Sequence, residues 1–432
     1  IQALENTLPA QSEDDQAKVG SLEKVSDFIK NLSVRIKVLT FVISLLRYFV
    51  FSFQFYFLLG IFGIEVSYFH AMEQKIHWRQ IWSLVALNAA IIISWIAYHN
   101  YQPQLLEQFN YEHYEGFLKK AKLIILLIVP PLAGYAADRF FKPGDKRVPL
   151  VTAGVSFTAL VFMIVASTLG QNPLFDLSAY LPVMIVIWLI SMNLFYAPAL
   201  AMLEKFVPVA QFAVVMGIYI LVSDMIYALE PAIVILVEFF GAPFTFIFGG
   251  AIVLGAGIWF SNSYKKWSDE KEKEAATDTS EKEQINPIKI WGIAFLFGVA
   301  FAYLINVLPE QVEGKLIRAD LGEYTGEIMV SGLLFLTAIA AWALSKRVVP
   351  ENIKNVFTFS FIGVMALFII SAYMGEVSAL FPLILVIPTL ALLSISAFPM
   401  AMAKATLRHK MLAAGLFISG AEFPDSLLEL LL

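Results

Sequence analysis

The sequence predicts an all-α polytopic membrane protein built as two helical bundles related by an internal repeat, with an extra hydrophobic segment at its amino terminus. Three observations predict it. Hydrophobic residues make up 59% of the 432 residues and charged residues 15%, against about 45–50% and about 25% in soluble chains. Apolar runs recur at the length of roughly 20 residues that a helix needs to cross a bilayer. One strongly charged segment divides these runs into two sets. A mean hydropathy of +0.73 leaves more apolar surface than a soluble chain can hide. A net charge of −5 with a pI of about 5.7 argues against nucleic acid as a partner. With no cysteine, disulfides, thiolate nucleophiles and Cys-ligated metals are all excluded.

Residues 1–22 are polar and expected to be a disordered tail. Residues 23–37 (EKVSDFIKNLSVRIK) suit an amphipathic helix on a membrane surface. The apolar stretch 38–70 exceeds one span and contains Arg47. If 48–67 crosses the bilayer, Arg35, Lys37 and Arg47 lie outward, against the positive-inside rule. The stretch is therefore either re-entrant or interfacial, or an exception to that rule. Met72 stands where a translation start would, which makes 1–71 an added module, with its amphipathic and hydrophobic part 23–71 a place for a protein partner. The segment is not a secretory signal, because the start is acidic and the apolar part too long.

From there, spans are expected at 80–100, 121–137, 149–169, 180–203, 211–238 and 243–262, and again at 289–308, 327–345, 356–374, 378–402 and 410–431. The runs are too long for barrel strands, and helices satisfy their own backbone groups in lipid. The bundles are thus 72–263 and 289–432, joined by a linker at 264–288 whose composition reads as polar and unable to bury a core. The connections after even-numbered spans, with Lys75 and Arg79, carry nineteen Lys and Arg, against five on the other side. The even connections and the linker are therefore expected in the cytoplasm, with the protein in the plasma (bacterial inner) membrane.

The two sets of spans repeat. Ala197-Pro198-Ala199, Met216-Gly217 and Asp224 in spans four and five correspond to Phe398-Pro399-Met400, Ala414-Gly415 and Glu422 in spans ten and eleven. Gly217 and Gly415 are as far apart as Asp224 and Glu422. Parallel halves related by an axis along the membrane normal are the build of one large transporter class. Span six has no partner in the second set. Either a twelfth span lies beyond Leu432, or residues 38–67 take its position.

After span two, Gly134-Tyr135-Ala136-Ala137-Asp138-Arg139 leads into a basic turn holding Lys146 and Arg147. A small residue for close approach, a carboxylate at a helix end and a cation cluster make a cytoplasmic gate by charge-assisted bonding. The run resembles the signature loop of the major facilitator superfamily, Gly-x-x-x-Asp-Arg-x-Gly-Arg-Arg, between spans two and three. Gly134, Asp138 and Arg139 match. The Gly-Arg-Arg part departs, since Gly144 and Lys146-Arg147 follow only after an insertion. The equivalent loop of the second half, Ser345-Lys346-Arg347, lacks the Gly and the Asp. The resemblance covers about 75–432, and the Met-Gly-Ile-Tyr run opening span five is similar to the sugar–cation symporter branch. It implies a secondary transporter working by alternating access.

Ionisable groups at bilayer depth are costly and mark function. Asp224 and Glu230 on span five, and Glu422 and Asp425 on span eleven, are candidates to bind a coupling proton, or Na+. Six residues separate the first two, so they need not share a helix face; three separate the second two, so they do. His99, Asn100, Gln102, Asn193, Tyr227, Tyr303 and Asn306 are candidates to line a substrate cavity. Lys and Arg fall almost wholly in loops, which favours a neutral polar or cationic small-molecule solute, or a hydrophobic cargo, over an anion. No phosphate loop, paired-His motif or Gly-x-Ser-x-Gly is present, so neither enzyme chemistry nor a cofactor or metal is expected. The expected function is proton-coupled transport of a small polar or cationic solute. The alternative is a transporter-like membrane subunit, assembly factor or sensor.

Overall fold

The computed structural model describes residues 76–140, 148–169, 180–272, 286–318, 326–406 and 409–431. The amino-terminal module 23–71, Lys146, Arg147 and linker residues 273–285 lie outside them. The first half holds α1 (Trp78–Gln108), α2 (Glu115–Phe140), α3 (Val148–Leu169), α4 (Leu181–Ala201), α5 (Phe212–Ala228), α6 (Glu230–Phe240) and α7 (Ala242–Glu272). The second holds α8 (Pro287–Ala302), α9 (Leu308–Arg318), α10 (Gly326–Leu344), α11 (Ile353–Tyr373), α12 (Leu380–Met402) and α13 (Lys410–Leu431). Each expected span falls on one of these helices or on a consecutive pair. Ten stretches of these helices are long and apolar enough to cross a membrane.

Two spans are broken, each beside a proline. Leu229 separates α5 from α6, with Pro231 in the first turn of α6. Proline has no amide hydrogen to bond back into the preceding turn. Between α8 and α9 a π turn runs from Tyr303 to Val307, just ahead of Pro309. Such a turn re-phases the helix locally and is common at functional sites.

Helix α7 differs from expectation. It stays helical to Glu272, well into the segment read as linker. Phe260, Tyr264 and Trp267 form a stripe at helical spacing and are buried. Trp267 packs edge-on against Phe206 at 5.2 Å and His77 at 5.9 Å. Gln80 Nε2 donates to the Ser263 carbonyl at 3.0 Å. The density of charge in this segment masks that stripe in the sequence.

The helix neighbours repeat in the two halves. In the first, α4 packs on α2 and α3, and α5 on α1; in the second, α12 packs on α10 and α11, and α13 on α8. The halves meet where α2 lies on α13 and α5 lies on α10, pairs that exchange under the repeat. Large apolar side chains such as Phe359, Ile362, Phe381 and Ile384 stay exposed on α11 and α12, as a lipid-facing surface requires.

Candidate functional site

The halves close on one another at one end. Gly415 lies so near α2 that a Cβ there would stand 2.2 Å from the Pro130 carbonyl oxygen. Gly134 is as close to α13, with 2.2 Å from its Cβ position to the Met411 carbonyl. In the other crossing, a Cβ on Gly217 would meet Ser345 Cβ at 2.5 Å and the Ala341 carbonyl at 3.0 Å. Small residues let helix backbones approach in this way. The repeat pair Gly217 and Gly415 thus performs one task twice, and Ser345 takes the place that Gly134 has in the first half.

Asp138 accepts from the amides of Met411 at 3.3 Å and Leu412 at 2.8 Å. It therefore ties the end of α2 to the start of α13, where unpaired amides and the helix dipole favour a carboxylate. Lys410 adds a second link between the halves by donating to Glu204 at 2.7 Å. Arg139 does not reach the other half in the contacts seen: it is exposed, and its Nη1 donates to Tyr135 on its own helix at 2.8 Å.

Beyond this end the halves enclose a cavity of about 880 Å³. It begins at Met216 and Phe398 and runs to Glu230, Glu327 and Glu429. Its walls come from α1, α2, α4 and α5–α6 in the first half and from their repeat partners α8–α9, α10, α12 and α13 in the second. Asp224, Glu230, Glu422 and Asp425 all line it. Asp224 and Glu230 share it despite their angular separation, because its face on α5–α6 is two columns wide and takes in Ser223, Asp224, Tyr227, Glu230 and Pro231. Asp224 is 6% exposed, and its Oδ2 has no hydrogen-bond partner. Asp425 accepts from Asn306 Nδ2 at 2.8 Å; the same nitrogen bonds the Ala302 carbonyl at 3.0 Å, beside the π turn.

Of the other candidates, His99, Asn100, Tyr227 and Asn306 line the cavity. Gln102, Asn193 and Tyr303 are not among its walls. Asn193 is buried and donates to Leu189 on its own helix at 2.9 Å. Tyr303 donates to Gln311 at 2.6 Å and stacks on Phe368 with centroids 4.7 Å apart.

Lys122 is an exception to the expectation that Lys and Arg fall almost wholly in loops. Its side chain is 5% exposed and its ammonium bonds Glu429 at 2.5 Å and His99 Nε2 at 3.1 Å, with the Trp95 ring centroid at 5.8 Å. The sequence places it beside the loop residues Lys119 and Lys120. Its helical phase tells them apart: Lys122 shares the stripe of Leu118, Ile125, Leu126 and Ala133, all buried. Glu327, at the start of α10, is a further wall residue that the sequence reading did not single out.

Paired helical halves closing at one end around a central cavity that carries carboxylates define a membrane transporter. The family model of the Major Facilitator Superfamily matches residues 121–421, and the chain belongs to that family. Its fold is similar to that of a bacterial homologue of the iron transporter ferroportin in its outward-facing state, and to the same protein with soaked iron. Both show a TM-score of 0.58 and 13% identity over 83% of this chain and 91% of theirs. No curated protein matches the sequence.

Proposed function

We propose that this transporter moves a small polar or cationic solute by alternating access, with a proton, or Na+ in its place, as the coupling ion. The acid excess of the cavity carries the reading. Asp224, Glu230, Glu327, Glu422, Asp425 and Glu429 line it. Among the described residues Lys122 is the single Lys or Arg on its walls, and its ammonium is engaged with Glu429. A cavity lined by one sign of charge concentrates ions of the other. Asp224 and Glu422, equivalent under the repeat, offer each half a carboxylate at the same depth. Taking the Asp138 end as cytoplasmic, as the bias of Lys and Arg suggests, the cavity faces outward. Closing the Glu230–Glu327 end and releasing the Gly134, Gly217 and Gly415 crossings would present it to the other side.

The test is ion movement by the purified protein in liposomes loaded with a pH-sensitive dye. Asp224→Asn and Glu422→Gln are expected to abolish solute-driven proton movement. Wild-type proton movement in both variants would refute the coupling role.

A further inference from the structure

We propose that the deep part of the cavity around Asp224 binds an ammonium group, and that the solute is an organic amine with an apolar body. This rests on the reading above that the cavity is the solute site. The chain itself displays how the cavity holds an ammonium. Lys122 Nζ lies between the Glu429 carboxylate at 2.5 Å and His99 Nε2 at 3.1 Å, over the Trp95 ring at 5.8 Å. An ammonium only donates, so the imidazole accepts at Nε2 and is neutral there. One carboxylate, one neutral acceptor and one aromatic face make up the whole set.

A similar set recurs deeper in the cavity. Asp224 is more than nine-tenths buried and lines the cavity, with Oδ2 unpartnered among the described residues. The first half lines the same cavity with Tyr196, Tyr219, Ser223 and Tyr227. Tyr196 donates to Asn88 Oδ1 at 3.2 Å, and Tyr227 follows Asp224 by one turn. Aromatic faces attract organic cations. The second half supplies an apolar wall: Phe398 meets Phe417 edge-on at 5.1 Å, and Phe297 stacks with Phe417 at 6.0 Å. A metal ion is held by several converging ligands. Among the described residues no three His, Asp or Glu side chains converge in that way. A buried, unpartnered carboxylate in a cavity that tyrosines and phenylalanines also line matches an amine with an apolar body better.

The experiment is calorimetric titration of the full chain in lipid nanodiscs with phenethylammonium chloride. The neutral counterpart 2-phenylethanol and MnCl2 serve as comparisons. Phenethylammonium is expected to bind, the alcohol to bind at least about tenfold more weakly, and Mn2+ not to displace the amine. Asp224→Asn should weaken amine binding by at least about tenfold. Tyr227→Leu should weaken it by about tenfold and Tyr227→Phe should not, a pair that keeps the carboxylate and decides the matter if Asp224→Asn fails to fold. Equal affinity for alcohol and amine, unchanged binding in Asp224→Asn, or displacement by Mn2+ would overturn the proposal. Coupled proton movement without amine binding would sink this assignment alone. Amine binding without any coupled movement would sink the coupling reading and leave this one.

Discussion

The carboxylate of Asp138 accepts the backbone amide of Leu412 at 2.8 Å, so a side chain at the end of α2 caps the first turn of α13. The bond joins the two halves at their closed end. Loss of a cap costs about 0.5–2 kcal/mol, and each 1.4 kcal/mol is a tenfold change in equilibrium. Asp138→Ala should therefore favour opening of this end by roughly fivefold. Asp138→Asn, which keeps an acceptor oxygen, should have a smaller effect. The chain has no cysteine, so a single cysteine at Met216, at the inner end of the cavity, gives a clean readout. Its labelling by an impermeant maleimide from the Asp138 side should rise in the Ala variant. Unchanged labelling would refute the latch.

The two glycine crossings differ in what they touch, and that difference is testable. A methyl on Gly415 meets backbone, the Pro130 carbonyl at 2.2 Å and Pro131 Cα at 2.9 Å. A methyl on Gly217 meets mainly the Ser345 side chain, Cβ at 2.5 Å and Oγ at 3.0 Å. Overpacking of this kind costs about 1–3 kcal/mol. Gly415→Ala should reduce transport by about tenfold or more, with no small change nearby able to restore it. Gly217→Ala should be milder, and Ser345→Gly should rescue it in the double variant. Equal damage from both glycine variants, or no rescue, would contradict the geometry.

What the sequence made legible follows from which signals survive in a single chain. Span positions were legible because lipid imposes about 20 apolar residues on every crossing. The repeat was legible at Gly217 and Gly415, since close helix approach leaves few residue choices, and at Asp224 and Glu422, since charge at bilayer depth is rare. The tail of α7 was not, because a stripe of Phe260, Tyr264 and Trp267 is drowned by the charges around it. Lys122 stands in sequence beside the loop residues Lys119 and Lys120, and only its helical phase sets it apart. Asn193 and Tyr303 lie off the cavity walls: an amide can satisfy itself on its own helix, as Asn193 does on Leu189, and a phenol on the helix that follows, as Tyr303 does on Gln311. Which wall residues belong together depends on packing between halves, and no periodicity within one helix encodes that.

Lys315 on α9 shows how a cation expected in a loop instead holds the fold. It is 7% exposed and donates to the carbonyls of Ser371, Ala372 at 3.0 Å and Met374 at 2.8 Å, at the end of α11. These carbonyls lack partners within their own helix, and the dipole there favours a cation. Hydrogen bonds to charged groups contribute about 1.5–3 kcal/mol. Lys315→Met should lower the melting temperature clearly, and Lys315→Arg should retain more of it. Amine binding at Asp224 should be unaffected in both, because Lys315 is not among the cavity walls. Wild-type thermal stability in Lys315→Met would discount the cap.

Lys122 and Glu429 form an unequal pair, and the inequality predicts the order of their variants. The Lys122 side chain is 5% exposed and that of Glu429 31%. Removing one partner of a buried pair leaves the other's charge uncompensated, at about 3–5 kcal/mol when burial is complete. Glu429→Gln strands the buried ammonium and should be the more destabilising change. Lys122→Met strands a carboxylate that water still reaches, so its cost should be smaller, roughly 1–2 kcal/mol. The double variant should recover most of the loss, because no unpaired charge remains. Lys122→Met also leaves Glu429, His99 and Trp95 without their resident ammonium. In that variant phenethylammonium should bind at a second place, with a stoichiometry near two by calorimetry. A double-variant melting temperature below both singles would show that the pair is not coupled in this way, and a stoichiometry unchanged in Lys122→Met would deny that these three side chains form an ammonium site.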